Sequence, residues 1–232
     1  EEGDKSAVLT ATIAYGTLGA STTKEFPVTV KAQAELTKEE SLLLHYEFAD
    51  GTATDGSTVA DTSGNGNDGT IHGKNAGITD GTLTLPGGAN GSGAAYVQMP
   101  TGMFDGRNTL TISFWLKNET KNGDYAAMFF GTTENYPRQY WLFNPCNPAG
   151  LMKSVVTNGN SSSPWTTEYG ISPTNASQGI AGPATGENWT YYSTVITKDS
   201  ITGYYNGVKV GTVETNRPVS QFGSNLAGYI GR

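Results

Sequence analysis

Apolar and polar residues alternate in short runs along most of the chain, and clusters of glycine, proline, asparagine and aspartate separate the runs. Alternation of this kind is the period of a strand with one buried face. In residues 42–48, Leu42, Leu44, Tyr46 and Phe48 share one parity, and Leu43, His45 and Glu47 the other. The pattern predicts further strands near 82–85, 95–99, 109–117, 125–131, 139–144, 151–157, 189–197, 201–206, 207–213 and 226–230. No helical period runs beyond two turns, so the chain is expected to be all-β.

Residues 7–31 alternate twice around a turn at 16–20 and predict a hairpin. A lone hairpin is marginal in water, so this one is expected to close a sandwich whose earlier strands lie upstream of Glu1. Pro27 inside the second strand suits an edge or a bulge. The polar stretch 32–41 reads as a linker, and 42–232 as one large β domain.

Several segments resemble known families in the order those families require. Residues 42–73 run from a Tyr46-Glu47-Phe48 strand into Val59-Ala60-Asp61, then Ser63-Gly64-Asn65-Gly66-Asn67-Asp68-Gly69. Leu110-Thr111-Ile112-Ser113-Phe114-Trp115-Leu116, Asn188-Trp189-Thr190 and Tyr204-Tyr205-Asn206-Gly207-Val208-Lys209 follow. Together they resemble the bacterial laminin-G-like jelly roll of the concanavalin A-like lectin/glucanase superfamily. Residues 1–31 resemble the last strands of a degenerate bacterial immunoglobulin-like domain. The resemblance implies a concanavalin A-like jelly-roll β-sandwich preceded by a hairpin from an Ig-like sandwich. It also implies that a final strand is missing beyond Arg232, through truncation or because a neighbour supplies it, and that Trp115 and Trp189 pack in the core.

Charge narrows the partners. A net charge of -7 with fourteen scattered basic residues argues against nucleic acid or an anionic membrane surface. Apolar runs are too short to span a bilayer. The single cysteine, Cys146, excludes an internal disulfide.

Glucanase chemistry in this superfamily needs two or three acids on one face of a strand, as in Glu-x-Asp-x-Glu. Only Glu2-Gly3-Asp4 offers Glu-x-Asp, with no third acid. The loop Asp61-x-Ser63-x-Asn65-Gly66-Asn67 has oxygen ligands at alternate positions, like half a calcium loop. His72 stands where an EF-hand would need a bidentate Glu. Two readings stay open: a turn capped by its own side chains, or a structural Ca2+ held by Asp61, Asn65 and Asn67, to which the family resemblance adds Asp50.

Sugar rings stack their C–H faces on aromatic side chains and bond their hydroxyls to polar ones. Trp165 lies in a long polar insertion, 157–184, with Glu168 and Tyr169 close behind. Trp141 alternates with Tyr140 and Leu142, and parity alone leaves its side of the strand open. Tyr136 and Arg138 occupy a hairpin tip near the same strands. Trp165, Trp141, Tyr136, Arg138 and Tyr169 form the expected carbohydrate-binding set, with no catalytic residue. The expected function is a non-catalytic carbohydrate-binding module of a secreted or surface-bound bacterial glycoside hydrolase, its partners a polysaccharide and a neighbouring catalytic domain. The company such modules keep suggests an arabinose- or xylose-releasing enzyme; the alternative is a structural spacer that binds no glycan.

Overall fold

The computed structural model describes residues 5–15, 20–30, 41–49, 51–89, 91–119, 122–132, 139–157, 159, 162–215, 222 and 226–232. The chain divides into two units, Glu1–Leu42 and Leu43–Arg232. In the first, β1 (Lys5–Tyr15) and β2 (Ala20–Val30) pair antiparallel, with Val8 opposite Pro27. Apart from Ser41, the expected linker lies outside the described residues.

The second unit contains β3 (Thr58–Val59), β4 (Gly69–His72), β5 (Gly77–Thr79), β6 (Thr82–Thr84), β7 (Tyr96–Met99) and β8 (Leu110–Leu116). Then come β9 (Met128–Gly131), β10 (Tyr140–Asn144), β11 (Lys153–Thr157), β12 (Tyr169–Ile171) and β13 (Gly179–Ile180). The chain closes with β14 (Thr190–Ile196), β15 (Ser200–Tyr205), β16 (Val208–Glu214) and β17 (Ala227–Ile230). Each strand expected from residue 82 onward is present within a few residues of its predicted limits. Two tight turns follow from Asx-Gly pairs with positive φ at both positions, Asp80-Gly81 between β5 and β6 and Asn206-Gly207 between β15 and β16.

A nine-stranded sheet, ordered β13-β12-β11-β10-β9-β17-β7-β4-β3, stacks on a four-stranded one, β16-β15-β14-β8. Parity sorts their faces. Met99, Phe130, Trp141, Phe143, Val156 and Ile171 of the large sheet meet Leu110, Tyr192, Ile196 and Ile201 of the small one in a single core. Phe143 packs on Phe114 at 4.9 Å and on Tyr192 at 4.8 Å between ring centroids.

Trp141 is 0% exposed, which resolves the parity question and removes it from the carbohydrate-binding set. Its Nε1 donates to Ser154 Oγ at 3.1 Å, and Ser154 Oγ shares a hydrogen bond with Thr194 Oγ1 of the opposite sheet at 2.8 Å. Trp115 and Trp189 depart from expectation in the other sense, at 64% and 50% exposed. Ile112, Phe114 and Leu116 take the inward parity of β8, so Trp115 must point out.

Residues 42–48 do not form the expected strand, and only a bridge joins Tyr46 to Asp61. Loop 61–68 claims the backbone instead. Asp61 Oδ1 accepts from His45 N and Ser63 N at 2.9 Å each, and Oδ2 from Ser63 Oγ at 2.7 Å and Asn67 N at 2.9 Å. Asn67 Nδ2 donates to Leu43 O at 2.7 Å, and Tyr46 Oη to Asn67 O at 2.8 Å. Phe48 adopts a φ of 51°, which an extended strand does not allow.

Partial burial alone would raise the Asp61 carboxyl. The N–H groups of His45, Ser63 and Asn67 and the Ser63 hydroxyl outweigh it and hold the pKa at about 2, below an ordinary 3.8. A carboxyl depressed by folding stabilises above its unfolded pKa, and that contribution disappears as pH falls through the folded value. Asp61→Asn should therefore lower the melting temperature at neutral pH, and its gap to the parent should narrow between about pH 5 and about pH 2 in a pH series of thermal melts. Ser154→Ala strands the Trp141 N–H and the Thr194 hydroxyl in the core, and urea denaturation should show a loss of about 1–3 kcal/mol.

Candidate functional site

The outer face of the nine-stranded sheet gathers aromatic residues from strands far apart in sequence. His72 on β4 stands opposite Tyr96 on β7, Gln98 on β7 opposite Tyr229 on β17, and Tyr229 opposite Phe129 on β9. Phe129 is in turn opposite Leu142 on β10, two residues from Tyr140. All share the parity opposite to the core residues Ile71, Val97, Phe130 and Trp141. Two groups of rings touch: His72 stacks on Tyr96 at 5.3 Å and Tyr96 meets Tyr229 edge-on at 5.8 Å, while Phe129, paired with Tyr229 in register, lies 5.7 Å from Tyr140. Five neighbouring strands at about 4.8 Å spacing make this row about 19 Å long.

Local sequence shapes the row. Gly131 shares the outward parity of Phe129, and a Cβ there would run into the Phe129 ring. The missing side chain lets the ring lie down along the sheet. Tyr96, Phe129 and Tyr229 are half-buried, and Gln98 and Thr70 add polar groups on the same face.

A buried charge pair closes one end. Glu168 is 1% exposed, and its Oε1 accepts from Tyr140 Oη at 2.8 Å. Its Oε2 accepts from Thr174 N and Oγ1 at 3.1 and 3.0 Å and lies 2.7 Å from Lys153 Nζ. Every oxygen of this carboxylate is engaged, so Glu168 anchors the insertion to β10 and β11. Over the second and third rings of the row, Arg232 places its guanidinium carbon 4.8 Å from the Tyr96 ring centre and 4.6 Å from that of Tyr229.

Of the residues expected from sequence to bind sugar, Trp141 is in the core. Tyr169 stands opposite Val156 on the inward parity and packs against that core, so it does not join the outer row. Trp165 is 46% exposed on a short 3-10 turn, Pro164–Thr167, beside β11. Tyr136 and Arg138 lie outside the described residues, as does Asp50. Asp61 and Asn67 are tied into the loop, and the Asn65 side-chain nitrogen donates to Ser63 Oγ at 3.1 Å. Among the described residues no three His, Cys, Asp or Glu side chains converge as a metal site would need.

Sequence reasoning missed Tyr96, Phe129 and Tyr229. The signal was present in part: Tyr96 and Gln98 alternate with Val97 and Met99, so a tyrosine sits on the polar parity. What sequence did not show is that β17 inserts between β7 and β9 and so joins the three rings.

A second aromatic group stands on the outer face of the four-stranded sheet. Trp115 packs on Tyr191 at 5.3 Å, with Trp189 and Val208 also exposed. A shallow cleft of about 430 Å³ opens between residues 181–183 and 205–210, lined by Pro183, Tyr205, Val208 and Lys209.

No curated protein matches the chain in sequence. Among solved structures, domain 4 of AbnA, a GH43 extracellular arabinanase from Geobacillus stearothermophilus in complex with arabinotriose, is 22% identical, with 74% of this chain and 76% of that one covered and a TM-score of 0.48. The binding domain of botulinum neurotoxin DC, solved with rat synaptotagmin II, is 15% identical with a TM-score of 0.51, and covers 84% of this chain. The binding domain of botulinum neurotoxin serotype C1 is 13% identical with a TM-score of 0.50, again over 84% of this chain. The match spans only 44% and 43% of those two toxin chains, and the likeness is one of fold. A family model matches residues 90–232, which include strands β7 to β17: the chain belongs to the concanavalin A-like lectin/glucanases superfamily.

Proposed function

We propose that this chain is a non-catalytic carbohydrate-binding module, with the outer face of the nine-stranded sheet as its contact surface. The observation that carries this reading is the alignment of His72, Tyr96, Tyr229 and Phe129 on one face of four neighbouring strands, half-buried and flanked by Gln98 and Thr70, with the buried Tyr140 closing the row. Half-buried rings suit the C–H faces of a saccharide, and rigid aromatics lose little entropy when they bind. The carboxylate nearest this row, Glu168, is held by Tyr140, Thr174 and Lys153, which supports a binding role over hydrolysis. Trp165, exposed beside β11, is the outlying contact in this reading.

The setting is a proposal of the same kind. The sequence pairing of an immunoglobulin-like hairpin with a laminin-G-like domain supports a place in an exported bacterial glycoside hydrolase, of the arabinose- or xylose-releasing type, next to its catalytic domain. A structural Ca2+ at Asp61, Asn65 and Asn67, with Asp50, would have to displace the hydrogen bonds that hold the loop. The self-capped loop therefore predicts equal melting temperatures in EDTA and in added calcium, and a rise of several degrees with calcium would restore the metal.

A second reading has its own observation. Trp115, Tyr191 and Trp189 expose an apolar patch on the opposite face, as a spacer packed against another domain would need. The two readings separate cleanly. Affinity electrophoresis on plant cell-wall polysaccharides should show retardation that Tyr229→Ala reduces about tenfold and Trp115→Ala leaves unchanged. Unretarded migration on every polysaccharide, with a native circular dichroism spectrum, would favour the spacer.

A further inference from the structure

The Arg232 guanidinium over the aromatic row carries a chemistry that stacking does not use. Gly231 has a φ of +79°, and a Cβ there would run into Leu85. Gly231 N donates to Ala127 O at 2.9 Å. These two features fold the chain back over the sheet, so that the Arg232 guanidinium lies across Tyr96 and Tyr229 at 4.8 and 4.6 Å from their centres. Its Nη1 donates to Tyr96 Oη at a long 3.4 Å. Among the described residues no carboxylate lies within ion-pair distance of it, although the protein carries a net charge of -7.

A guanidinium has five N–H donors in a planar fork that fits a carboxylate in two parallel bonds. Here one donor is in use, weakly, and the side chain is exposed. On the far side of Tyr96, His72 stacks on the ring, and its Nδ1 lies 3.8 Å from Asp55 Oδ1. Asp55 is already engaged by Gly73 N at 2.9 Å and faces His72 rather than Arg232. The guanidinium is thus fixed against two rings in the middle of the row. At physiological salt, charges elsewhere on the surface are screened over about 8 Å, so the local guanidinium and not the net charge sets the sign that a ligand meets.

We infer that this face selects acidic glycans: a uronic acid residue of the bound oligosaccharide sets its carboxylate on Arg232 while its neighbours stack along Tyr229 and Phe129. The inference rests on the glycan-binding reading above and adds the ligand class. A neutral sugar could stack on the row but would leave the fork solvated, whereas a uronate gains a charge-assisted, bidentate contact over an aromatic floor.

Titration calorimetry with the folded chain tests it, using oligogalacturonate, glucuronoxylan oligosaccharides and hyaluronate oligosaccharides, each beside its carboxyl-reduced form. The expected result is that an acidic form binds at least tenfold more tightly than its reduced counterpart, and that added salt erodes the difference. Arg232→Gln should abolish the preference, and Arg232→Lys should restore only part of it. Equal binding of acidic and reduced forms, or a preference that survives Arg232→Gln, overturns this inference and leaves the glycan-binding reading standing. Failure of both forms to bind overturns both.

Discussion

Three hydrogen-bonding side chains cross the apolar interior of the sandwich, and the orientation of both its sheets depends on them. The Trp141 indole can only donate, Ser154 accepts from it, and Ser154 shares a second hydrogen bond with Thr194 of the opposite sheet. All three are buried to within 2% of complete. In such surroundings an unmade hydrogen bond costs far more than a made one contributes, so any slip of one sheet over the other is penalised twice, at the indole and at the hydroxyls. Apolar packing alone would tolerate several alignments of Phe143 against Phe114 and Tyr192. The polar line admits one.

Parity then does the rest. A strand side chain points either into the core or away from it, so fixing Trp141 inward fixes Tyr140 and Leu142 outward, and the sheet pairing carries that choice across to Phe129, Tyr229 and Tyr96. The aromatic face is therefore the back of the core. Its rings need not be placed by loops, and their spacing is the spacing of the strands. At the far end, the buried pair of Lys153 and Glu168 ties the insertion to β10 and β11. An ion pair of this kind contributes little net stability, because desolvating both charges offsets most of their attraction. Its effect is geometric, since with Thr174 and Tyr140 it leaves the insertion one way to lie on the sheet.

These relations also explain what could be read from the sequence. Strands from residue 82 onward follow from alternation, and the Asn206-Gly207 turn from its two residue types, because both signals are local. Trp141 was ambiguous because both parities of Tyr140-Trp141-Leu142-Phe143 are apolar. Trp115 misled because the family resemblance implied a core position, when the β8 alternation of Ile112, Phe114 and Leu116 had already filled the inner face. The first strand failed for a different reason: the Asp61 carboxylate and the Asn67 amide bond to the His45 and Leu43 backbone, and such competition from side chains leaves no mark on hydrophobic periodicity. The aromatic row was least legible of all. It needs β17, near the end of the chain, to lie between β7 and β9, and that order is decided by the whole sandwich.

The two outer faces differ in a way that bears on their use. On the nine-stranded sheet the aromatic rings are half-buried, one of them laid over Gly131, and interleaved with Gln98, Thr70 and a guanidinium. On the four-stranded sheet Trp115 stands 64% exposed over a carpet of hydroxyls, with Ser113 bonded to Ser193 and Thr202 to Thr212 at 2.8 Å each. Hydroxyls that already satisfy one another have less to offer a sugar, whereas a projecting indole gains most from a surface that covers it entirely. In the glycan-binding reading the first face is the one preorganised for a small polar ligand. In the spacer reading the second suits contact that persists, of the kind one protein domain makes with another, and the polar line through the core holds the strands of both faces in a single register.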